Sequence, residues 1–230
     1  MQSKIRLENG EKFDDLLIDG RKIIQNKNLY MFTSDSVKLA NFVCAKQSDQ
    51  LVELCSGSGI IGILIALTQK PKSLTMVEVQ PSLATMCEKS ILLNNLEGKI
   101  KVINKKLQGI SKEIGTEMFD VVFCNPPYEK NILNSQNESE VIARSEKLVN
   151  IGEICKEAKA LIKFGGKFYC CFPASRVFEL SNALYLNGFA IKETQFVFDK
   201  NKKARLVLVK AIKGGKHDCV VKEFCKVNKP

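Results

Sequence analysis

The sequence predicts an α/β fold: a mostly parallel sheet with helices on both faces and a late antiparallel hairpin. Three observations carry that expectation. From residue 50 onward, apolar runs of strand length alternate with segments of helical spacing, the pattern of successive βαβ units. A glycine-rich turn lies between the first such run and the helix after it. Two late apolar runs flank a short basic turn, as in a hairpin.

The elements follow in order. Residues 1–34 are mixed, with turn signals at Asn9-Gly10 and Asp19-Gly20. Val37, Ala40, Val43 and Cys44 are spaced as on a helix over residues 35–45. Leu51–Cys55 reads as a buried strand, and an apolar helix runs to about Thr68. Leu74–Glu78 is a second strand, Ser82–Asn95 a helix and Ile100–Ile103 a third strand. Phe119–Cys124 is a fourth, stopped sharply by Asn125-Pro126-Pro127. After a polar stretch, a helix is expected from about Val141 to Ile162, ended by Gly165-Gly166. Lys167–Phe172 is a fifth strand and Ser175–Leu186 a helix; Ala190–Phe198 and Arg205–Ile212 form the hairpin.

Composition narrows the classes. A chain of 230 residues, 45% apolar and 26% charged, is an ordinary globular protein. A single domain over 1–230 is expected, with 1–49 as an N-terminal extension packing near the ligand site. The longest apolar run, Gly59–Leu67, is too short to span a bilayer. The first residues lack the apolar stretch of a signal peptide, so a cytoplasmic location and no membrane partner are expected. Nine cysteines are scattered without a Cys-x-x-Cys pair and read as reduced, buried thiols. His217 is the only histidine, which argues against zinc, against any metal site and against a histidine-based triad. The net charge is +10, and residues 200–230 hold ten basic against two acidic residues, a net +8. Such a surface suits a polyanion, most simply a nucleic acid.

Beyond the carboxyl ends of parallel strands lies the crevice where ligands bind. Three segments should meet there. In Glu53-Leu-Cys55-Ser-Gly57-Ser-Gly59-Ile-Ile-Gly62 the glycines permit positive φ and close approach of backbone to a ligand. Glu78 stands about twenty residues on, where a ribose-binding carboxylate would sit. Two nucleoside ligands fit, NAD and S-adenosylmethionine. Glu53 favours the second, because a carboxylate would attract an ammonium and repel a pyrophosphate.

The third segment is Asn125-Pro126-Pro127-Tyr128. It resembles the (Asp/Asn)-Pro-Pro-(Tyr/Phe) motif of amino methyltransferases. An exocyclic amine is flat, its lone pair delocalised, and it is a poor nucleophile. The Asn125 side-chain oxygen and the Pro126 carbonyl could accept its two N–H groups and bind it better as it turns tetrahedral. Tyr128 would offer a stacking face.

Over most of its length the chain resembles the bacterial family that methylates N6 of adenine 37 in valine tRNA. The resemblance is carried by Leu16–Gln25, Phe32–Ala40, the glycine turn, Val77–Gln80, Asn125–Tyr128, Ala143–Glu146 and Lys203–Val209. It implies a Rossmann-like class I methyltransferase with a seven-stranded sheet, S-adenosylmethionine as cofactor and tRNA as partner, working as a monomer or weak dimer. Glu78 would hold the ribose, Gly57 and Gly59 would underlie the methionine part, and Glu53 would face its ammonium. Thr33 and Asp35 would sit beside the pocket, and backbone at Leu107 would meet the adenine. Asn125, Pro126, Pro127 and Tyr128 would form the catalytic tetrad. Cys55 replaces the first glycine of the turn. Lys106 stands near a position where the family usually has an acid, and Ser145 stands where histidine is expected. Arg144, Lys200, Lys202, Lys203 and Arg205 are the candidates for RNA phosphates. The same chemistry on ribosomal RNA or a protein glutamine stays open, as do an NAD enzyme and an RNA-binding protein without cofactor.

Overall fold

The computed structural model describes residues 5–29, 31–32, 34–127 and 149–222. Within them the chain runs β1 (Glu11–Asp15), β2 (Lys22–Asn26), α1 (Ser34–Phe42), β3 (Gln50–Leu54), α2 (Ile60–Thr68), β4 (Ser73–Glu78), α3 (Pro81–Leu93), β5 (Ile100–Asn104), α4 (Ile110–Ile114) and β6 (Phe119–Cys124). It continues as α5 (Ile151–Leu161), β7 (Ile162–Pro173), α6 (Val177–Leu186), β8 (Phe189–Phe198), β9 (Ala204–Lys213) and β10 (Val220–Lys222).

Eight strands form one sheet in the order β10-β8-β9-β7-β6-β3-β4-β5. The pairs from β5 across to β7 are parallel; β9 runs antiparallel to β7 and β8. Seven strands are those marked in the sequence. The eighth, β10, is a three-residue edge strand beside β8 with all its residues exposed, so no burial pattern announces it. Among the described residues no helix is long and apolar enough to cross a membrane.

One apolar layer packs the sheet against α1, α2 and part of α3; the other packs it against α4, α5 and α6. Helix α2 is buried from Ile60 through Ala66, which explains why it has no polar stripe. Helix α3 starts at Pro81, whose fixed φ suits the first helical position, rather than after Ser82. The β1–β2 hairpin clasps α3: Ser90 Oγ accepts from Ile24 N at 3.0 Å, and Asn94 Nδ2 donates to Lys22 O at 2.7 Å.

The expected helix over 141–162 is corrected at both ends of its described part. Asn150 and Glu153 form a reciprocal capping box, so a helix begins at Ile151. It ends at Leu161, and Gly165-Gly166 lies within β7 instead. There the pairing jumps from Phe119↔Ile162 to Val121↔Lys167, and Gly165 takes φ 77°. Helix α4 has no clear sequence signal; its start is held by buried Glu157 of α5, which accepts from Gly109 N at 2.8 Å and Ser111 N at 3.1 Å.

The chain proceeds from β3 to β4 and β5 on one side, then crosses to β6 on the other. The order in which strands are added therefore reverses between β3 and β6, the position beyond whose carboxyl ends such sheets bind ligands. Leu54 lies beside Val77 of β4 and Cys124 of β6, so the three expected segments leave the sheet side by side.

Candidate active site

The glycine turn is built from left-handed backbone. Cys55 and Gly57 both have φ 56°, and Gly59 has φ 78° as it starts α2. A Cβ at Gly59 would stand 2.4 Å from Cys87 Sγ, and one at Gly62 would stand 2.3 Å from Met76 Cε and 2.6 Å from Glu53 Oε2. Those two glycines are required by packing. Gly57 differs: its missing Cβ faces open space, room a ligand can use.

Two carboxylates back the turn. Glu53, 1% exposed, accepts from Gly62 N at 3.0 Å through Oε2. Its Oε1 is buried and has no hydrogen-bond partner. Burial pushes its pKa well above the ordinary carboxylate range, and Glu78 adds to the rise. Glu78 accepts from Gly57 N at 2.7 Å and from Gln80 N at 2.9 Å. Burial raises its pKa as well, opposed by the backbone N–H groups of Gln80, Gly57 and Val79.

Asn125 follows β6. Its Nδ2 donates to Ser36 Oγ of α1 at 3.4 Å, and its Oδ1 is buried without a partner. Pro126 and Pro127 are buried beside it. Four buried side-chain atoms among the described residues lack a partner: Glu53 Oε1, Ser56 Oγ, Asn125 Oδ1 and Asn94 Oδ1. The first three lie at the carboxyl ends of β3 and β6 or just beyond them. Leu107 is 6% exposed and packs in the α5 layer. Cys55 hydrogen-bonds the buried Cys124 thiol, whose pKa burial pushes well up. The eight described cysteines are all free, and no described cluster of metal-ligating side chains occurs.

Thr33, Tyr128 and Arg144 lie outside the described residues. Asp35 and Arg205, assigned from sequence to the side of the cofactor pocket and to RNA, are brought together. Arg205 donates to Asp35 Oδ2 at 3.0 Å and also to Oδ1, and Lys38 lies 3.6 Å from the same carboxylate. A bulge sets this up: Val197 pairs with Leu206 and Phe198 with Ala204, so Arg205 is skipped in the ladder and re-aimed. Lys200, Lys202 and Lys203 are exposed on the β8–β9 turn, which Asp199 Oδ1 ties by accepting from Asn201 N and Lys203 N. Pro173 pairs with Leu206, so that turn lies at the same end of the sheet as Asn125. Ser36 and Ser56 escaped the sequence reading. No local pattern links position 36 to position 125.

The profile of a family described as "Conserved hypothetical protein 95" matches residues 19–163. Among curated proteins, the chain is 22% identical over 168 residues to a tRNA1(Val) (adenine(37)-N6)-methyltransferase of Flavobacteriaceae bacterium (strain 3519-10), covering 70% of each. It is 23% identical over 189 residues to the protein of that name from Haemophilus influenzae (strain PittEE), covering 81% of this chain and 79% of that one. Among solved structures, a predicted O-methyltransferase from Agrobacterium tumefaciens superposes with TM-score 0.68 at 20% identity, over 84% of this chain and 88% of that one. TYW2 of M. jannaschii in complex with AdoMet superposes with TM-score 0.61 at 13% identity, over 90% and 87%.

Proposed function

The chain belongs to the conserved hypothetical protein 95 family, and from that premise we propose that it transfers a methyl group from S-adenosylmethionine to the N6 amine of an adenine in tRNA. The curated relatives carry that activity in their names, and adenine 37 of valine tRNA is the target this reading adopts. The observation that carries it is the Asn125 amide oxygen, buried and without a partner after β6, beside the glycine turn.

The residues present fit the cofactor. Glu53 Oε1 is an acidic acceptor lacking a partner, suited to an ammonium. Gly57 leaves open space where a side chain would intrude. The two Glu78 oxygens offer about four acceptor sites to three backbone N–H groups, which leaves one for a ribose hydroxyl. Bound there, S-adenosylmethionine supplies an activated methyl group on a sulfonium. The chain's own contribution is to capture and orient the amine. Asn125 Oδ1 and the Pro126 carbonyl accept its two N–H groups, hold it in line, and strengthen as the nitrogen turns tetrahedral. No histidine base is needed, in keeping with the single His217. Lys200, Lys202 and Lys203 are proposed phosphate contacts, and Tyr128 the stacking face.

Replacing Asn125 by alanine tests the reading. N125A should lose about a hundredfold or more in turnover, as when one transition-state hydrogen-bond partner is removed. S-adenosylhomocysteine should still raise its melting temperature, and NAD should not. Mass analysis of nucleosides from unmodified tRNA incubated with enzyme and donor reads the product. Native turnover in N125A would overturn the proposal.

A further inference from the structure

A side-chain amide has an acceptor end and a donor end of nearly the same shape. An amino group brings N–H donors, so only one orientation of Asn125 can hold it. Turned over, the amide would set donor against donor. A neighbouring hydroxyl can serve either end, so the end it takes decides which one is left for the amine.

In this structure the Asn125 Nδ2 is taken by Ser36 Oγ at 3.4 Å, and Oδ1 is left buried and unpartnered. Ser36 is 3% exposed and sits in the first turn of α1. Its neighbour Asp35 accepts from Arg205 of β9, which ties that turn to the sheet, and lies 3.6 Å from Lys38 of the same helix. We infer that Ser36 is a positioning residue: its hydroxyl accepts from the Asn125 amide nitrogen and thereby presents the amide oxygen to the incoming amine. The inference rests on the role proposed for Asn125, and Ser36 acts through that residue.

A carboxylate has acceptors at both ends and needs no such choice. That gives a test which a merely structural role would not pass. In steady-state assays on unmodified tRNA with S-adenosylmethionine, S36A should lower kcat about tenfold, a typical effect of a misplaced reacting group. KM for the donor and the melting temperature should hold. S36T, which keeps the hydroxyl, should restore kcat. In the N125D background, S36A should leave kcat where N125D alone sets it. An S36A enzyme with native kcat, or an equal loss in both backgrounds, overturns the inference. If N125D turns over too slowly to measure, the threonine variant decides, and S36T at the S36A rate overturns it. A failure of Ser36 with N125A inactive removes this inference alone, whereas an active N125A removes the reading beneath it.

Discussion

Glu53 is a carboxylate held away from water with one oxygen unpartnered, and this sets how it answers to pH. Burial raises its pKa, so between the ordinary value of 4.5 and the raised one the folded chain binds more protons than the unfolded chain. The associated stability is full below the unfolded value and is lost as pH rises through the folded one. The melting temperature of the ligand-free protein should therefore decline over that interval. E53Q, which keeps an acceptor for Gly62 N–H and cannot ionise, should flatten the decline in scanning calorimetry across a pH series. A bound ammonium would supply the missing partner, so cofactor affinity should rise with pH across the same interval. E53Q should bind about tenfold or more weakly, the scale of a hydrogen bond to a charged group, with that pH dependence gone. Titration calorimetry reads both. An affinity unchanged by E53Q would remove Glu53 from the cofactor site. Of the residues singled out in the sequence, Glu53, Gly57, Glu78 and Asn125 meet at the crevice, because each lies at or just beyond the end of a strand. Asp35 and Arg205 also form an ion pair that no local pattern announces, because its members stand 170 residues apart.

The element that decides this is the bulge at the start of β9. Regular alternation would put Arg205 on the face of Val207 and Val209; skipping it in the ladder sends it to α1 on the opposite layer. The ion pair joins the turn end of the late hairpin to the helix that carries Ser36. Asp35 is 1% exposed, so removing the arginine leaves a buried carboxylate with only Lys38 nearby among these anchors. R205A should lower unfolding free energy by about 1–3 kcal/mol, discounted because Arg205 is half exposed. R205K should recover part of it, since an ammonium cannot reproduce the forked contact. Urea titration measures both, and a native midpoint in R205A would show that the pair holds nothing together. The strands themselves were legible as apolar runs of four to nine residues. The start of α5 was less so: Asn150 and Glu153 do spell a capping box, but the helical spacing on either side hides it.

At the scale of the molecule, the antiparallel return of β9 carries the β8–β9 turn to the end of the sheet where the crevice opens. The basic excess of the last thirty-one residues thus includes three exposed lysines at that end. If they meet phosphates, the double variant K202E/K203E should weaken tRNA binding and reduce the magnitude of the log affinity against log salt slope by about 2, near one counterion per lysine. An unchanged slope in a filter-binding or fluorescence titration would assign the lysines to solvent. The sequence by itself determined the alternation of strands and helices, the glycine turn, the two carboxylates beside it and the Asn-Pro-Pro-Tyr tetrad. Each of these is a local pattern, written in neighbouring residues and their spacing. Only the tertiary structure decided that Arg205 pairs with Asp35, that Ser36 meets the Asn125 amide, and that Glu53, Ser56 and Asn125 keep buried oxygens without partners. Those facts depend on which distant segments share an interior, and a chain records in its order only which residues are adjacent along it.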